Sequence, residues 1–207
     1  MQGQRAMWMV VAVASSSLLS SCSPNVEQAK YTVLREQKPF EIRRYAPQIV
    51  AETTVDAEFD KAGNVAFDRL YGYISGKNRK ETSIAMTAPV EQKTATEEIA
   101  MTAPVTQTAS DQAYTVRFVM PDEYTLETLP EPADPDVRLK RIPERKMAAI
   151  RYSGTWSQKR YEQKKAELKD FIDEQGLQIT GDAIFARYDP PFQLWFLRRN
   201  EVLIPVE

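Results

Sequence analysis

Apolar and polar residues roughly alternate over Tyr31–Arg35, Phe40–Tyr45 and Ile49–Val55, the period-two signature of strands that bury one face. The period then changes. From Asp56, a residue type that caps helices, Phe59, Ala62, Ala66, Phe67, Leu70, Tyr71 and Ile74 recur at helical spacing as one apolar stripe, closing near Gly76. Gly63 lies inside this helix at a cost of about 1 kcal/mol against Ala, which predicts that another part of the chain approaches closely there. A second amphipathic helix is predicted from Ser157 to Gln175, with Tyr161, Leu168, Phe171 and Ile172 inward and Gly176 ending it.

Between the helices the heptapeptide IAMTAPV occurs twice, at Ile84–Val90 and Ile99–Val105. Its alternation predicts two strands with Ile, Met, Ala and Val on one face, joined by the polar EQKTATEE as an exposed hairpin connection. Pro89 and Pro104 lack amide donors and so require edges or bulges. Further strands are predicted at Tyr114–Met120, Val137–Ile142 and Met147–Tyr152, with a Pro-rich link from Leu129 to Pro135 before the last two. Strand-like Ile179–Tyr188, the rigid turn Asp189-Pro190-Pro191 and Leu194–Val206 complete the chain. A shift of 97 residues lays VRLKRIPERKMAA (Val137–Ala149) over FEIRRYAPQIVAE (Phe40–Glu52) and the second helix over the first. The expected fold is therefore α+β: a duplicated strand-strand-helix-strand unit whose strands form a curved antiparallel sheet or open barrel with two packed helices.

The N-terminus reads as an address. Residues 1–21 carry one charge, Arg5, then an apolar run from Ala6 to about Ala14, then small residues, as in a secretory signal peptide. The run is short for a spanning helix, which needs roughly 20 residues. Leu19-Ser20-Ser21-Cys22 resembles the bacterial lipobox, which makes Cys22, the single cysteine of the chain, the expected lipidation site. Residues 23–29 are polar and suit a tether, leaving 30–207 as the folded domain. More than one acyl chain would hold the protein durably in a membrane. Ser23 favours the outer membrane facing the periplasm, with the cell surface or the periplasmic face of the inner membrane as alternatives.

Composition narrows the chemistry. The 207 residues hold 27 Lys plus Arg against 29 Asp plus Glu, a formal charge of -2, so no basic excess is available for nucleic acid. Loss of residues 1–21 with Arg5 makes the mature chain -3. There is no histidine, which removes Ser-His-Asp and Cys-His pairs and histidine-based zinc sites. Acid–base catalysis would need a carboxylate of raised pKa, and no carboxylate pair in the sequence nominates itself. The chain is expected not to be an enzyme.

FEIRRY, VAET, the helix ending YISGKN, the doubled MTAPV, FVMPDEYTLETLPEP and the terminal ARYDPPFQLWFLRRNEV together resemble the SOUL or haem-binding-protein family in order, from about Tyr31 to Val206. The resemblance implies a duplicated α+β fold, similar to gyrase-inhibitor-like ligand-binding modules, that holds haem or another tetrapyrrole non-covalently in a groove beside the first helix. Carried onto this chain, the groove side corresponds to Phe67 and Tyr71, with Leu70 and Ile74 as neighbours. Met86 and Met101, at matching places in the repeats, are further candidates for flanking a ring. Each of these residues is equally suited to core packing by its spacing alone.

Some members of the family are expected to ligate iron through histidine, which this chain lacks. Tyr or Met ligation, a different ring, or a pocket without a bond to iron remain. Burying roughly 400 Å² of porphyrin at about 25 cal/mol per Å² contributes on the order of 10 kcal/mol. Association costs of about 4–15 kcal/mol leave affinity near the micromolar range, which suits a carrier. The expected function is a lipid-anchored tetrapyrrole carrier, buffer or scavenger. The alternatives are an envelope module for another planar hydrophobic ligand or a protein partner, and an enzyme using the same groove. Arg198 and Arg199, as neighbours, are expected to point opposite ways, with an ion pair to Glu201 or Asp189 as the simpler role.

Overall fold

The computed structural model describes residues 26–94 and 113–207. In chain order these form β1 (Glu27–Gln28), β2 (Tyr31–Gln37), β3 (Phe40–Tyr45), β4 (Gln48–Asp56), α1 (Phe59–Ile74), β5 (Thr87–Ala88), β6 (Val90–Thr94) and β7 (Ala113–Val119). Then follow β8 (Arg138–Ile142), β9 (Arg145–Tyr152), α2 (Gln158–Glu174), β10 (Ile184–Arg187), a 3-10 turn at Trp195–Leu197 and β11 (Asn200–Pro205). Nine strands make one sheet in the order β2-β3-β9-β11-β10-β6-β7-β4-β8, and β1 pairs separately with β5. Every pairing in the larger sheet is antiparallel.

The duplication is visible in that order. The series β3-β4-α1-β6-β7 corresponds to β8-β9-α2-β10-β11, so the repeated unit has one strand more than the periodicity implied. Under this correspondence the strand order from β3 to β8 reads the same from either end, and the halves join where β6 meets β10. Each half also lends its first strand to the other, β3 to β9 and β8 to β4.

Both helices lie on one face, because directly opposite residues in a sheet share a face. One such row runs Thr53, Val116, Gln92, Phe185, Val202, Ile150, Phe40 across seven strands. Val116 belongs to the core under α1, with Ala51, Val55, Ala62, Ala66, Leu70 and Ile74. Phe185, Val202 and Ile150 belong to the core under α2, with Leu168, Phe171 and Ile172. Phe59 ties the two together, its ring centroid 5.0 Å from that of Tyr161 and 5.7 Å from that of Phe185.

Four local expectations are corrected. The first helix begins at Phe59 after Glu58, not at Asp56, which ends β4. Ile84–Val90 is not a continuous strand. Ile84 is held by its amide to the Ile74 carbonyl, and only Thr87–Ala88 joins the short parallel pair before Pro89, which has no amide to continue a ladder. EQKTATEE is not wholly an exposed connection either. Glu91 and Gln92 are buried within β6, which is paired on both sides. The second repeat copy, with Met101, and Cys22 lie outside the described residues. Near the C-terminus, Ile179 makes only an isolated bridge and the strand starts at Ile184.

The opposite face carries a buried ionic cluster. Glu201 is fully buried and accepts from Arg43 Nη1 at 2.5 Å and Nη2 at 3.2 Å, Arg199 Nε at 2.9 Å and Nη2 at 2.8 Å, and the Tyr188 hydroxyl at 3.0 Å. Burial alone would raise its pKa. The hydrogen bonds and charges of Arg43 and Arg199 outweigh that and hold it below the ordinary carboxylate value.

Candidate functional site

The strands that meet at the junction of the halves break the apolar pattern of the helix-facing surface. Beside the row already described runs another: Ala51, Phe118, Val90, Arg187, Asn200, Tyr152. Gln92 and Arg187 are thus polar residues planted between two hydrophobic cores, in the seam between α1 and α2. A buried polar group is the informative exception in a packed interior.

Arg187 is 7% exposed. Its Nη2 donates to Gln92 Oε1 at 2.7 Å, and Gln92 Nε2 donates in turn to the Phe59 carbonyl at 3.1 Å. Among the described residues its Nε has no acceptor and no carboxylate makes an ion pair with it. The guanidinium carbon lies 5.0 Å from the Trp156 ring centroid and 4.9 Å from that of Phe185. Burial pushes its pKa down to about 10, against weaker opposing effects of Tyr152 and Asp60, so it stays charged at neutral pH. Tyr152 adds a second orphan: its buried hydroxyl has no partner among the described residues, and burial drives its pKa well above the ordinary phenol value.

The close approach implied by Gly63 is made by Arg187. A Cβ at position 63 would come within 2.3 Å of Arg187 Nη1. Gly63→Ala must therefore displace a guanidinium wedged among aromatic rings, with an expected loss of about 1–3 kcal/mol of stability in urea unfolding. That loss should largely vanish when Arg187 is replaced by a shorter residue.

The outer wall of the seam is the loop from Asp189 to Arg199. Its base is closed by the Tyr188 amide to the Arg199 carbonyl at 3.2 Å and by the Arg199 amide to Asp189 Oδ2 at 2.5 Å. Arg198 braces it, donating to the carbonyls of Gln193 at 2.9 Å and Pro191 at 2.6 Å while its guanidinium lies 4.4 Å from the Trp156 centroid. Trp156 is itself fixed by Nε1 donating to Asn200 Oδ1 at 2.8 Å. Arg198 thus turns to the seam and Arg199 to Glu201, the divergence expected of neighbours.

The residues nominated from sequence fall into separate environments. Phe67 is half-buried, its ring near-parallel to Tyr71 at 5.7 Å and edge-on to Phe118 at 5.3 Å. Tyr71 is 51% exposed, so this pair forms an aromatic ledge on the flank of α1, in the same i, i+4 line as Gly63. Leu70 and Ile74 are buried against the sheet and belong to the core. Met86 is exposed in the segment after α1. Hollows of about 300 Å³, beside Tyr161, Lys165 and Ala183, and about 160 Å³, beside Gln48, Tyr124 and Arg141, lie elsewhere and are lined by neither Phe67 nor Tyr71. Among the described residues no acidic, Cys or His cluster could hold a metal ion.

Arg187, Tyr152, Trp156 and Gln92 were not nominated by sequence. One signal was available: a glycine inside a helix requires a partner, and an arginine ending the apolar stretch IFAR is the kind of residue that needs one.

Among the described residues the arrangement offers an anion a buried guanidinium without an ion pair and a phenol without a hydrogen-bond partner, and offers a flat ring an aromatic ledge one helical turn away. Those parts fit the carboxylates and the face of a tetrapyrrole, while no imidazole is present for its metal.

The chain is similar to known proteins in sequence and in fold. The mouse protein named "Heme-binding protein 2" is 28% identical over 172 residues, covering 78% of this chain and 79% of its own length, and its human counterpart is 27% identical over the same span. Among solved structures, the C-terminal domain of EcmrR superposes with a TM-score of 0.60 at 12% identity over 86% of this chain and 98% of that one. A protein from Listeria innocua described as a hydrolase gives 0.54 at 14% identity over 84% and 94%. At such identities the structures show a shared fold only. The family model described as "SOUL heme-binding protein" matches residues 26–205, and the chain belongs to that family.

Proposed function

We propose that the protein binds haem or a related carboxylated tetrapyrrole at the seam, as a lipid-anchored carrier, buffer or scavenger of the cell envelope, and not as a catalyst. The observation that carries this reading is Arg187, a buried cation that forms no ion pair among the described residues. Leaving a charge so placed costs several kcal/mol unless something neutralises it, and a ligand carboxylate is the group that would. Family membership supplies the ligand class. The ring would lie along Phe67 and Tyr71, with the loop at 189–199 yielding to admit it. Cleavage before Cys22 and its acylation would place the domain at a membrane, the outer membrane facing the periplasm being favoured by Ser23.

Haemin titrated into the processed protein in mild detergent should give a saturable shift of the Soret band in the micromolar range. A flat titration at tens of micromolar overturns the proposal. Tyr71 supplies the phenol of the ledge, and Tyr71→Phe tests it as an iron ligand; an unchanged spectrum assigns the tyrosine a packing role only.

A second reading, a module for a different planar anion with apolar faces, is favoured by the missing histidine. Native mass spectrometry of protein taken from its own membrane, recovering a ligand without a tetrapyrrole mass, would support it over haem.

A further inference from the structure

The loop that walls the seam has an outer surface made of side chains that a water-facing loop rarely shows. Phe192 is 85% exposed, and Leu194, Trp195, Phe196 and Leu197 are each more than half exposed. Five large apolar side chains within six consecutive residues form a patch of the kind that marks an interaction surface. Between Pro190 and Asn200 the sequence has two arginines and no carboxylate; Arg199 is paired with Glu201, so Arg198 is the cation beside an otherwise apolar, aromatic patch. Trp at an apolar–polar boundary with adjacent Arg is the composition of segments that settle at bilayer interfaces.

The second observation is where the chain enters the fold. Gln28 Oε1 accepts from Arg199 Nη1 at 3.1 Å, at the base of this loop. β1, with Gln28, therefore brings the N-terminal segment to the end of the sheet from which the loop projects. Cys22 precedes Gln28 by six residues, and six residues span at most about 20 Å when fully extended. A lipid on Cys22 fixes the bilayer surface within that distance of Gln28, whose side chain touches Arg199.

We propose that the loop at 192–197 is a second membrane contact, its Phe, Leu and Trp side chains entering the interface of the bilayer that holds the Cys22 lipid, with Arg198 at the level of anionic head groups. This rests on the anchoring reading above. Insertion would fix the orientation of the domain, with the seam opening toward the membrane surface.

The test uses the full chain, processed and purified in detergent, then reconstituted into vesicles of equimolar phosphatidylethanolamine and phosphatidylglycerol with or without bromine on the acyl chains. The mature chain has two tryptophans, Trp156 and Trp195. Trp195 emission should shift to the blue and be lost in the brominated vesicles, and Trp195→Phe should abolish the quenching while leaving the emission of Trp156. Protein that floats with the vesicles while Trp195 stays open to acrylamide overturns the membrane contact but leaves anchoring intact. Trp195 shielded from acrylamide yet unquenched by bromine means that a protein covers the loop, and overturns it too. A mass spectrum showing Cys22 without lipid overturns the anchoring and this contact together.

Discussion

Glu201→Ala lowers the unfolding free energy by about 3–5 kcal/mol, because it strands buried cations that the carboxylate alone joins. Arg43, 1% exposed, keeps only the half-buried Glu41 as an ionic partner, and Arg199 loses both of its bonds to the carboxylate. Against a typical total of about 5–15 kcal/mol, the loss leaves the variant close to its unfolding midpoint at warm temperatures. The same group sets an acid limit. Its folded pKa is lowered, so the unfolded chain binds the proton more readily, and the stability it contributes is complete above the unfolded value near 4.5 and is lost as pH falls through the lower folded value. Urea midpoints of the wild type should therefore fall steeply below about pH 4.5, and those of Glu201→Gln should depend less on pH there. A Glu201→Ala melt that overlays the wild type would refute the cluster as a stabilising unit.

Arg187→Met has effects of opposite sign on stability and on binding. Burial that drives the guanidinium pKa down to about 10 implies a cost to the empty protein of about 3 kcal/mol. An apolar chain of similar length removes that cost but gives up the Gln92 hydrogen bond and the contacts with Trp156 and Phe185, for an expected net gain of about 1–2 kcal/mol. Haemin affinity should meanwhile drop about 30-fold or more, since a carboxylate entering the seam would find no counter-charge, a deficit of about 2 kcal/mol or more. The dimethyl ester of haemin, which has no carboxylates, should bind variant and wild type alike. Haemin binding undisturbed in Arg187→Met would remove the anion from the seam.

The helices are legible in the sequence because their burial is one-sided. The stripe from Ala62 to Ile74 buries one face of α1 and leaves the other exposed, and that asymmetry is what periodicity records, whereas Phe40–Tyr45 has buried residues on both of its faces. The middle of the sheet was harder. Glu91 and Gln92 lie in a strand paired on both sides, and their polar character, which normally means solvent, made a central strand resemble a connection. Arg43 hides in FEIRRY for the same reason: an alternating pattern assigns it a side but cannot reveal that Glu201, 158 residues later, fills that side. Of the groove residues, Phe67 and Tyr71 share the flank of α1, whereas Leu70 and Ile74 carry identical apolar credentials and point at the sheet. Spacing at three and four residues cannot separate two adjacent stripes of one helix when both are apolar.

The exchange of first strands between the halves has a mechanical implication. With β3 clasped by β9 and β8 clasped by β4, neither repeat owns a complete set of its own neighbours. A nick in the proline-rich link at 129–135 would leave two fragments each gripping the other's border, and the molecule is built to loosen all at once or not at all.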